Sequence, residues 1–102
     1  MRIFDCTLRD GANVVGNGFS PELTESMIRG LLDCGIQDIE MGNAKGIGSY
    51  DRGAEAPLDD EGYAKLASRY AGKGRLGMFM LAAFADADKI KWSRTTALIL
   101  FG

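Results

Sequence analysis

The chain reads Asp-Cys-Thr-Leu-Arg-Asp-Gly at residues 5–11 and, about thirty residues later, Ile-Glu-Met-Gly at residues 39–42. The first stretch ends a short run at 3–7 that mixes β-branched, aromatic and small residues, a composition typical of a buried strand. The second ends another short apolar run at 36–41. Each predicted strand therefore finishes in charged residues and a glycine.

The segment between these two strands predicts a loop and then a helix. Residues 11–19 contain three glycines and two asparagines, which favours a loop. Ser20, Pro21 and Glu22 then supply an N-cap, a proline at the first helical position and an acid in the first turn. The predicted helix covers 21–34, with apolar residues at helical spacing along one face: Leu23, Met27, Ile28, Leu31 and Leu32.

The rest of the chain repeats the same rhythm. A glycine-rich loop over 42–57 precedes a second helix, which is capped by Asp59 or Asp60 and closed by Gly72 or Gly74. The remaining elements are predicted as a strand at 75–83, a short helix at 87–92 and a strand at 97–101. Strands that alternate with helices in this way predict an α/β fold with a parallel sheet.

Three charged side chains follow the first two strands. Because catalytic residues of parallel sheets gather at the carboxyl ends of the strands, Arg9, Asp10 and Glu40 are expected at one edge. Asp10 is a hard oxygen donor suited to Mg²⁺ or Mn²⁺, and Arg9 can hold a carboxylate or an enolate oxygen. On spacing alone, an ordinary strand-end turn with Glu40 as the salt-bridge partner of Arg9 explains the same residues.

Composition and charge exclude several classes of protein. The 102 residues hold 12 basic and 14 acidic side chains, a net charge of −2 without a basic stripe, so nucleic acid is not an expected partner. No apolar run approaches the length of about 20 residues that crosses a bilayer. We expect Cys6 and Cys34 to be reduced core thiols and the protein to be cytoplasmic.

The loop that begins at Gly42 has two interpretations. Its glycines at 42, 46, 48 and 53 can bring backbone N–H groups against an anion, with Lys45 and Tyr50 as candidate side chains. A flexible surface loop is the other interpretation and the one we prefer.

The residues at 5–11 and Glu40 together resemble the metal-dependent lyases and aldolases related to hydroxymethylglutaryl-CoA lyase. Within that superfamily the chain is most similar to the 4-hydroxy-2-oxovalerate aldolases. The resemblance implies the N-terminal part of a TIM (β/α)8 barrel, about three to four parallel β/α units. It also implies cleavage or formation of a carbon–carbon bond next to a 2-oxo acid such as pyruvate, or in an acyl substrate, through a metal-stabilised enolate. Asp10 would bind Mn²⁺ or Mg²⁺, Arg9 would stabilise the enolate, and Glu40 would be the supporting acid.

Two departures from the family pattern bear on activity. The family's catalytic histidine, two residues beyond the glycine of the first motif, is replaced by Asn13, and an amide is not a general base near neutral pH. The family's His-x-His pair of metal ligands also has no counterpart, since the chain contains no histidine. We therefore expect the chain alone to be inactive, and a non-catalytic β/α module with an anion-binding or assembly role is the alternative.

The resemblance ends near Lys91. One synonymous encoding of the last residues, read two nucleotides later, gives Met-Val-Lys-Asp-Tyr-Gly-Phe-Asp-Phe-Ile-Arg, which continues the family pattern. We expect a single partial barrel domain over 1–102, with a frame-shifted or foreign tail from about residue 92. Open sheet edges of a partial barrel favour self-association.

Overall fold

The computed structural model describes residues 3–79 and 99–101, which form a parallel sheet with helices packed against it. The sheet lies in chain order, β1-β2-β3-β4, and each neighbouring pair is parallel. The predicted α/β class with a parallel sheet is confirmed. The strands are β1 (Phe4–Asp5), β2 (Asp38–Met41), β3 (Arg75–Phe79) and β4 (Ile99–Phe101).

Three α-helical segments connect or flank the strands in the described part of the chain. They are α1 (Thr7–Asp10), α2 (Pro21–Asp33) and α3 (Asp60–Ser68). Two short 3₁₀ turns, Gly11–Val14 and Tyr50–Arg52, interrupt the loops that follow β1 and β2.

Helix α2 has the ends that its sequence predicts. Ser20 Oγ accepts a hydrogen bond from the Leu23 N–H at 3.2 Å, which satisfies one of the unpaired donors of the first turn. At the other end Gly35 is left-handed with φ of 88°, and the Ile36 N–H bonds back to the Leu31 carbonyl at 3.0 Å. The Ile36 bond belongs to a Schellman motif, in which glycine adopts the left-handed conformation without a steric penalty.

Helix α3 also begins at its predicted cap but ends early. Asp59 Oδ1 accepts from the Gly62 N–H at 2.8 Å, and acids at Asp60 and Glu61 occupy the first turn. The predicted closure at Gly72 or Gly74 is wrong, because the N–H groups of Arg69, Tyr70 and Ala71 each donate to the carbonyl three residues back. That change of pattern ends the α-helix in turns before either glycine.

The core lies between the sheet and helices α2 and α3. Side chains alternate along β2 and β3, so Ile39 and Met41 share one face with Leu76 and Met78. Ile28 of α2 and Tyr63 of α3 join the same cluster, which places both helices on that face. Glu40 consequently projects from the opposite face of the sheet, beside Gly77.

The first strand is shorter than its composition predicts. A strand over 3–7 is wrong at its end, because β1 stops at Asp5 and Thr7 already belongs to α1. The Asp5 carboxylate accepts hydrogen bonds from the Thr7 N–H at 3.0 Å and from the Thr7 hydroxyl at 3.4 Å. This side-chain turn competes with the strand ladder and bends the chain away from it.

Some predictions fall outside the described residues. The helix at 87–92, the end of the strand at 80–83, the first two residues of the strand at 97–101, and the proposed tail from 92 to 98 all lie there. Residues 99–101 do form a strand, as predicted.

Polar contacts join α2 to the turn that follows α3 on the outer side of the molecule. Tyr70 Oη donates to Glu25 Oε1 at 2.9 Å, and Arg69 Nη1 donates to the same oxygen at 3.1 Å. These two hydrogen bonds lower the pKa of Glu25, whereas burial and the Glu25 contact raise the pKa of Tyr70. The cluster fixes the two helices relative to each other at some distance from the carboxyl edge of the sheet.

Both cysteines are free, as predicted, but their expected burial is wrong for Cys34, which is exposed at the end of α2. Cys6 is half-buried between β1 and α1. Within the described residues, the helices are too short and too polar for any of them to cross a bilayer. The cytoplasmic location stays a prediction.

Candidate functional site

The helical turn α1 positions the first two charged residues of the site. The Arg9 and Asp10 N–H groups both donate to the Cys6 carbonyl, at 3.1 and 2.7 Å. Consecutive residues of such a turn project about 100° apart around its axis. Arg9 therefore faces the sheet while Asp10 faces outward, although the two residues are adjacent in sequence.

Arg9 and Glu40 form the closest contact of the site. Arg9 Nε donates to Glu40 Oε1 at 2.5 Å, a charge-assisted hydrogen bond between the turn after β1 and the last part of β2. Only 5% of the Glu40 side chain and 20% of the Arg9 side chain are exposed. The predicted meeting of these residues at one edge is thus observed, and Glu40 directly orients the guanidinium.

A backbone carbonyl holds a second position on the guanidinium. Arg9 Nη1 donates to the Ala44 carbonyl at 3.4 Å. The Ala44 N–H in turn donates to the Asn17 carbonyl at 2.8 Å, so Ala44 joins Arg9 to the loop after α1. Sequence reasoning did not identify Ala44, since a contact made by a backbone atom leaves no signal in residue type.

Asp10 lies at the rim of the site. Its side chain is 68% exposed, and its Oδ1 is 3.9 Å from Arg9 Nη1. Asn13, where the resemblance implies a histidine, donates from Nδ2 to the Asp10 carbonyl at 3.0 Å. Among residues 3–79 and 99–101, no three His, Cys, Asp or Glu side chains are grouped closely enough to hold a metal ion.

The loop after β2 is buried, and the prediction of a flexible surface loop is wrong for residues 42–49. In this stretch Lys45 alone is exposed. Asn43 is 1% exposed, donating from Nδ2 to the Ala54 carbonyl at 2.6 Å and accepting from the Lys45 N–H at 2.9 Å. Gly42 has φ of 96°, and a Cβ there would lie 2.8 Å from Met78 Cε, so glycine is required.

The glycine N–H groups of this loop bind acceptors within the protein. The Gly46 N–H donates to the Asn43 carbonyl at 2.9 Å, and the Gly48 N–H donates to Asp60 Oδ2 at 2.9 Å. An anion cradle needs such donors to converge on a ligand. The geometry therefore opposes the anion-binding interpretation of this loop.

Tyr50 lies at a cavity of about 220 Å³ with an acidic lining. Four carboxylates surround the cavity, and they disfavour an anionic substrate there. The lining residues are Tyr50, Asp51, Asp59, Asp60 and Glu61.

The loop after α1 is fixed to α3 beside the site. Tyr63 Oη donates to the Phe19 carbonyl at 2.8 Å, and burial raises the pKa of Tyr63. Gly18 packs so closely that a Cβ would lie 2.2 Å from Tyr63 Oη. The two loops that frame Arg9 are therefore both held by buried contacts.

Two curated aldolases are similar to this chain in sequence. No family model matches the chain. The 4-hydroxy-2-oxovalerate aldolase of Carboxydothermus hydrogenoformans is 36% identical over 93 residues, and that of Moorella thermoacetica is 33% identical over 93 residues. The chain is related to these aldolases. The resemblance predicted from the first motif and Glu40 is thereby confirmed.

These alignments cover 89% of this chain but 27% of each aldolase. The chain thus spans about a quarter of the length of the curated relatives that it matches.

A double-mutant cycle tests the energetic weight of the Arg9–Glu40 contact. We expect Glu40→Gln and Arg9→Met each to destabilise the fold by about 2 to 3 kcal/mol, because each leaves its charged or polar partner poorly compensated in a part-buried place. Chemical denaturation should give a coupling energy of about 2 kcal/mol for the pair.

The matched control for this cycle is Asp38→Asn on the same face of β2. Asp38 Oδ1 lies 3.7 Å from Arg75 Nε, with the Arg75 side chain 53% exposed and the Asp38 side chain 13% exposed. This ion pair is longer than the Arg9–Glu40 contact, and its cation is more exposed. We expect a loss below about 1 kcal/mol there. Equal losses at Asp38 and Glu40 would contradict a special role for burial of the Arg9 contact.

Proposed function

We propose that this chain supplies Arg9 and Glu40 to an aldolase-type active site that acts on a 2-oxo acid through an enolate. The observation that carries this proposal is the Arg9 guanidinium, held by the buried Glu40 carboxylate at the carboxyl edge of a parallel sheet. The names of the relatives support the reaction class. The substrate is proposed to be a small 2-oxo acid with a hydroxylated carbon next to the bond that breaks.

The proposed step follows from the charge on Arg9. In cleavage, a base from the rest of the active site takes the hydroxyl proton, because the Asn13 amide is not a base near neutral pH. The hydroxylated carbon becomes a carbonyl as the carbon–carbon bond breaks. The electron pair of that bond stays with the 2-oxo acid fragment, and negative charge develops on the enolate oxygen. A guanidinium already fixed by Glu40 and the Ala44 carbonyl donates to that oxygen without reorganising. Glu40 acts by holding the orientation of Arg9, and its burial keeps water from competing for the same N–H group.

We also propose that the sheet is part of a (β/α)8 barrel. Its four strands follow chain order without reversal, and α2 and α3 pack on one face. A doubly wound sheet reverses its strand order and carries helices on both faces, whereas a barrel does neither. Residues 1–102 would then form a partial barrel domain of about three to four units, and the tail from about residue 92 is proposed to be frame-shifted or foreign.

For the metal, we propose that Asp10 contributes one carboxylate ligand to Mn²⁺ or Mg²⁺. Its exposed side chain has the right donor chemistry, but the described residues alone do not fit a complete site, since no three His, Cys, Asp or Glu side chains among them are grouped closely enough. The remaining ligands must come from elsewhere, and the chain by itself is proposed to be inactive.

A chimeric aldolase tests the role of Arg9. The 93 aligned residues of this chain replace the matching segment of the Carboxydothermus hydrogenoformans enzyme. Two chimeras are made, one that keeps Asn13 and one that carries Asn13→His, because an amide does not serve as a general base. In whichever of the two chimeras cleaves 4-hydroxy-2-oxovalerate, we expect Arg9→Lys to lower kcat for this reaction roughly a hundredfold to a thousandfold.

The control for that experiment is Arg75→Lys. Arg75 begins β3 and therefore lies at the amino end of the strand, away from the carboxyl edge where Arg9 lies. We expect kcat to stay within about threefold of its parent there, as for a surface substitution. Unchanged kcat in Arg9→Lys would overturn the proposed function.

Calorimetric titration with Mn²⁺ tests the metal proposal in the same chimera. We expect Asp10→Ala to weaken binding by at least about tenfold, the loss typical even of residues that only support a ligand. Asp51→Ala, which removes another exposed carboxylate, should leave the Kd unchanged. Equal affinity of the parent and Asp10→Ala would rule out Asp10 as a ligand.

Self-association through β1 is proposed for the isolated chain. β1 lies at one end of the described sheet, and Ile3 and Phe4 are 59% and 47% exposed. Exposed apolar residues on an edge strand favour pairing with a second copy. Light scattering of the wild type should show dimers or larger species that Ile3→Lys reduces, and a monomer at high concentration would contradict this.

A further inference from the structure

One peptide group connects the buried loop after β2 to Arg9. Its carbonyl belongs to Ala44 and accepts from Arg9 Nη1 at 3.4 Å. Its N–H belongs to Lys45 and donates to Asn43 Oδ1 at 2.9 Å. The same rigid unit therefore contacts the guanidinium at one end and the Asn43 side chain at the other.

The planarity of this unit links the two contacts. A trans peptide bond directs its N–H and its carbonyl in opposite directions, and rotation about the bond is strongly hindered. Fixing the Lys45 N–H on Asn43 Oδ1 thus fixes the direction of the Ala44 carbonyl. Asn43 and Arg9 are therefore connected through one peptide group. None of the hydrogen bonds described above joins the two side chains directly.

Asn43 is itself firmly held. Its side chain is 1% exposed, and Nδ2 donates to the Ala54 carbonyl at 2.6 Å, across the base of the loop. The loop is fixed on its other side by the Ala44 N–H, which donates to the Asn17 carbonyl at 2.8 Å. An amide suits this place because it supplies a donor and an acceptor without charge.

We propose that Asn43 is a positioning residue for Arg9, which it orients through the peptide group between Ala44 and Lys45. Glu40 fixes Nε, and the Asn43 turn fixes the carbonyl that receives Nη1, so the plane of the guanidinium is set at two points. This inference rests on the proposed role of Arg9 for its catalytic meaning. The orientation of the Arg9 guanidinium is measurable without substrate.

The test follows the Arg9 Nε–Hε signal by proton–nitrogen correlation NMR of the full chain at mildly acidic pH, assigned with Arg9→Lys. Asn43→Ala removes the acceptor for the Lys45 N–H, and we expect Hε exchange to accelerate about tenfold, the effect of losing one hydrogen bond. Asn43→Ser retains a weaker acceptor in a Ser turn and should give an intermediate rate.

The matched control is Ser49→Ala in the same loop. Ser49 is buried and donates from Oγ to the Lys45 carbonyl at 2.8 Å, so its loss also costs one loop hydrogen bond without touching the peptide group at Ala44. We expect Arg9 Hε exchange to stay within about threefold of the wild type in this variant.

Three outcomes would overturn the proposal. Asn43→Ala could fold and leave the Arg9 signal unchanged, or Ser49→Ala could accelerate exchange as much as Asn43→Ala. Loss of folding in both Asn43 variants would make Asn43 a requirement of the fold and not a positioning residue. None of these results depends on aldolase activity, so failure here is distinct from failure of the chimera to lose activity in Arg9→Lys.

Discussion

The burial of Glu40 is the constraint on which the rest of the site depends. A carboxylate that is 5% exposed on a β-strand has lost most of its hydration, and this loss is compensated only by a charged partner with good geometry. Arg9 supplies that partner from the preceding βα unit. The chain must therefore leave β1 early enough for a helical turn to bring Arg9 over the end of β2.

This constraint explains the form of the two loops. Asp5 ends β1 by binding the Thr7 N–H, and α1 then presents Arg9 to the sheet. The loop after β2 returns over the guanidinium and accepts from it through the Ala44 carbonyl. Because that loop is buried, its polar backbone groups must find partners within the protein, which Asn43 and Asp60 provide.

In the proposed function, this arrangement orients Arg9 before any substrate arrives. A donor that needs no reorganisation is worth most where negative charge develops, as on an enolate oxygen. Asp10 remains at the exposed rim, and the proposed divalent ion would need ligands beyond this single carboxylate. The chain is similar to 4-hydroxy-2-oxovalerate aldolases over 27% of their length.

The sequence by itself determined the alternation of β1, α2, β2, α3 and β3, the N-caps of α2 and α3, and the three charged residues that follow the first two strands, because these depend on local chemistry and on side-chain periodicity. Tertiary structure alone decided that β1 stops at Asp5, that the loop after β2 is buried, and that Ala44 contacts Arg9. Local patterns do not encode these features, since a glycine-rich segment looks the same whether solvent or another loop satisfies its backbone. Here neighbouring loops satisfy it, and that contact between distant segments sets the orientation of Arg9.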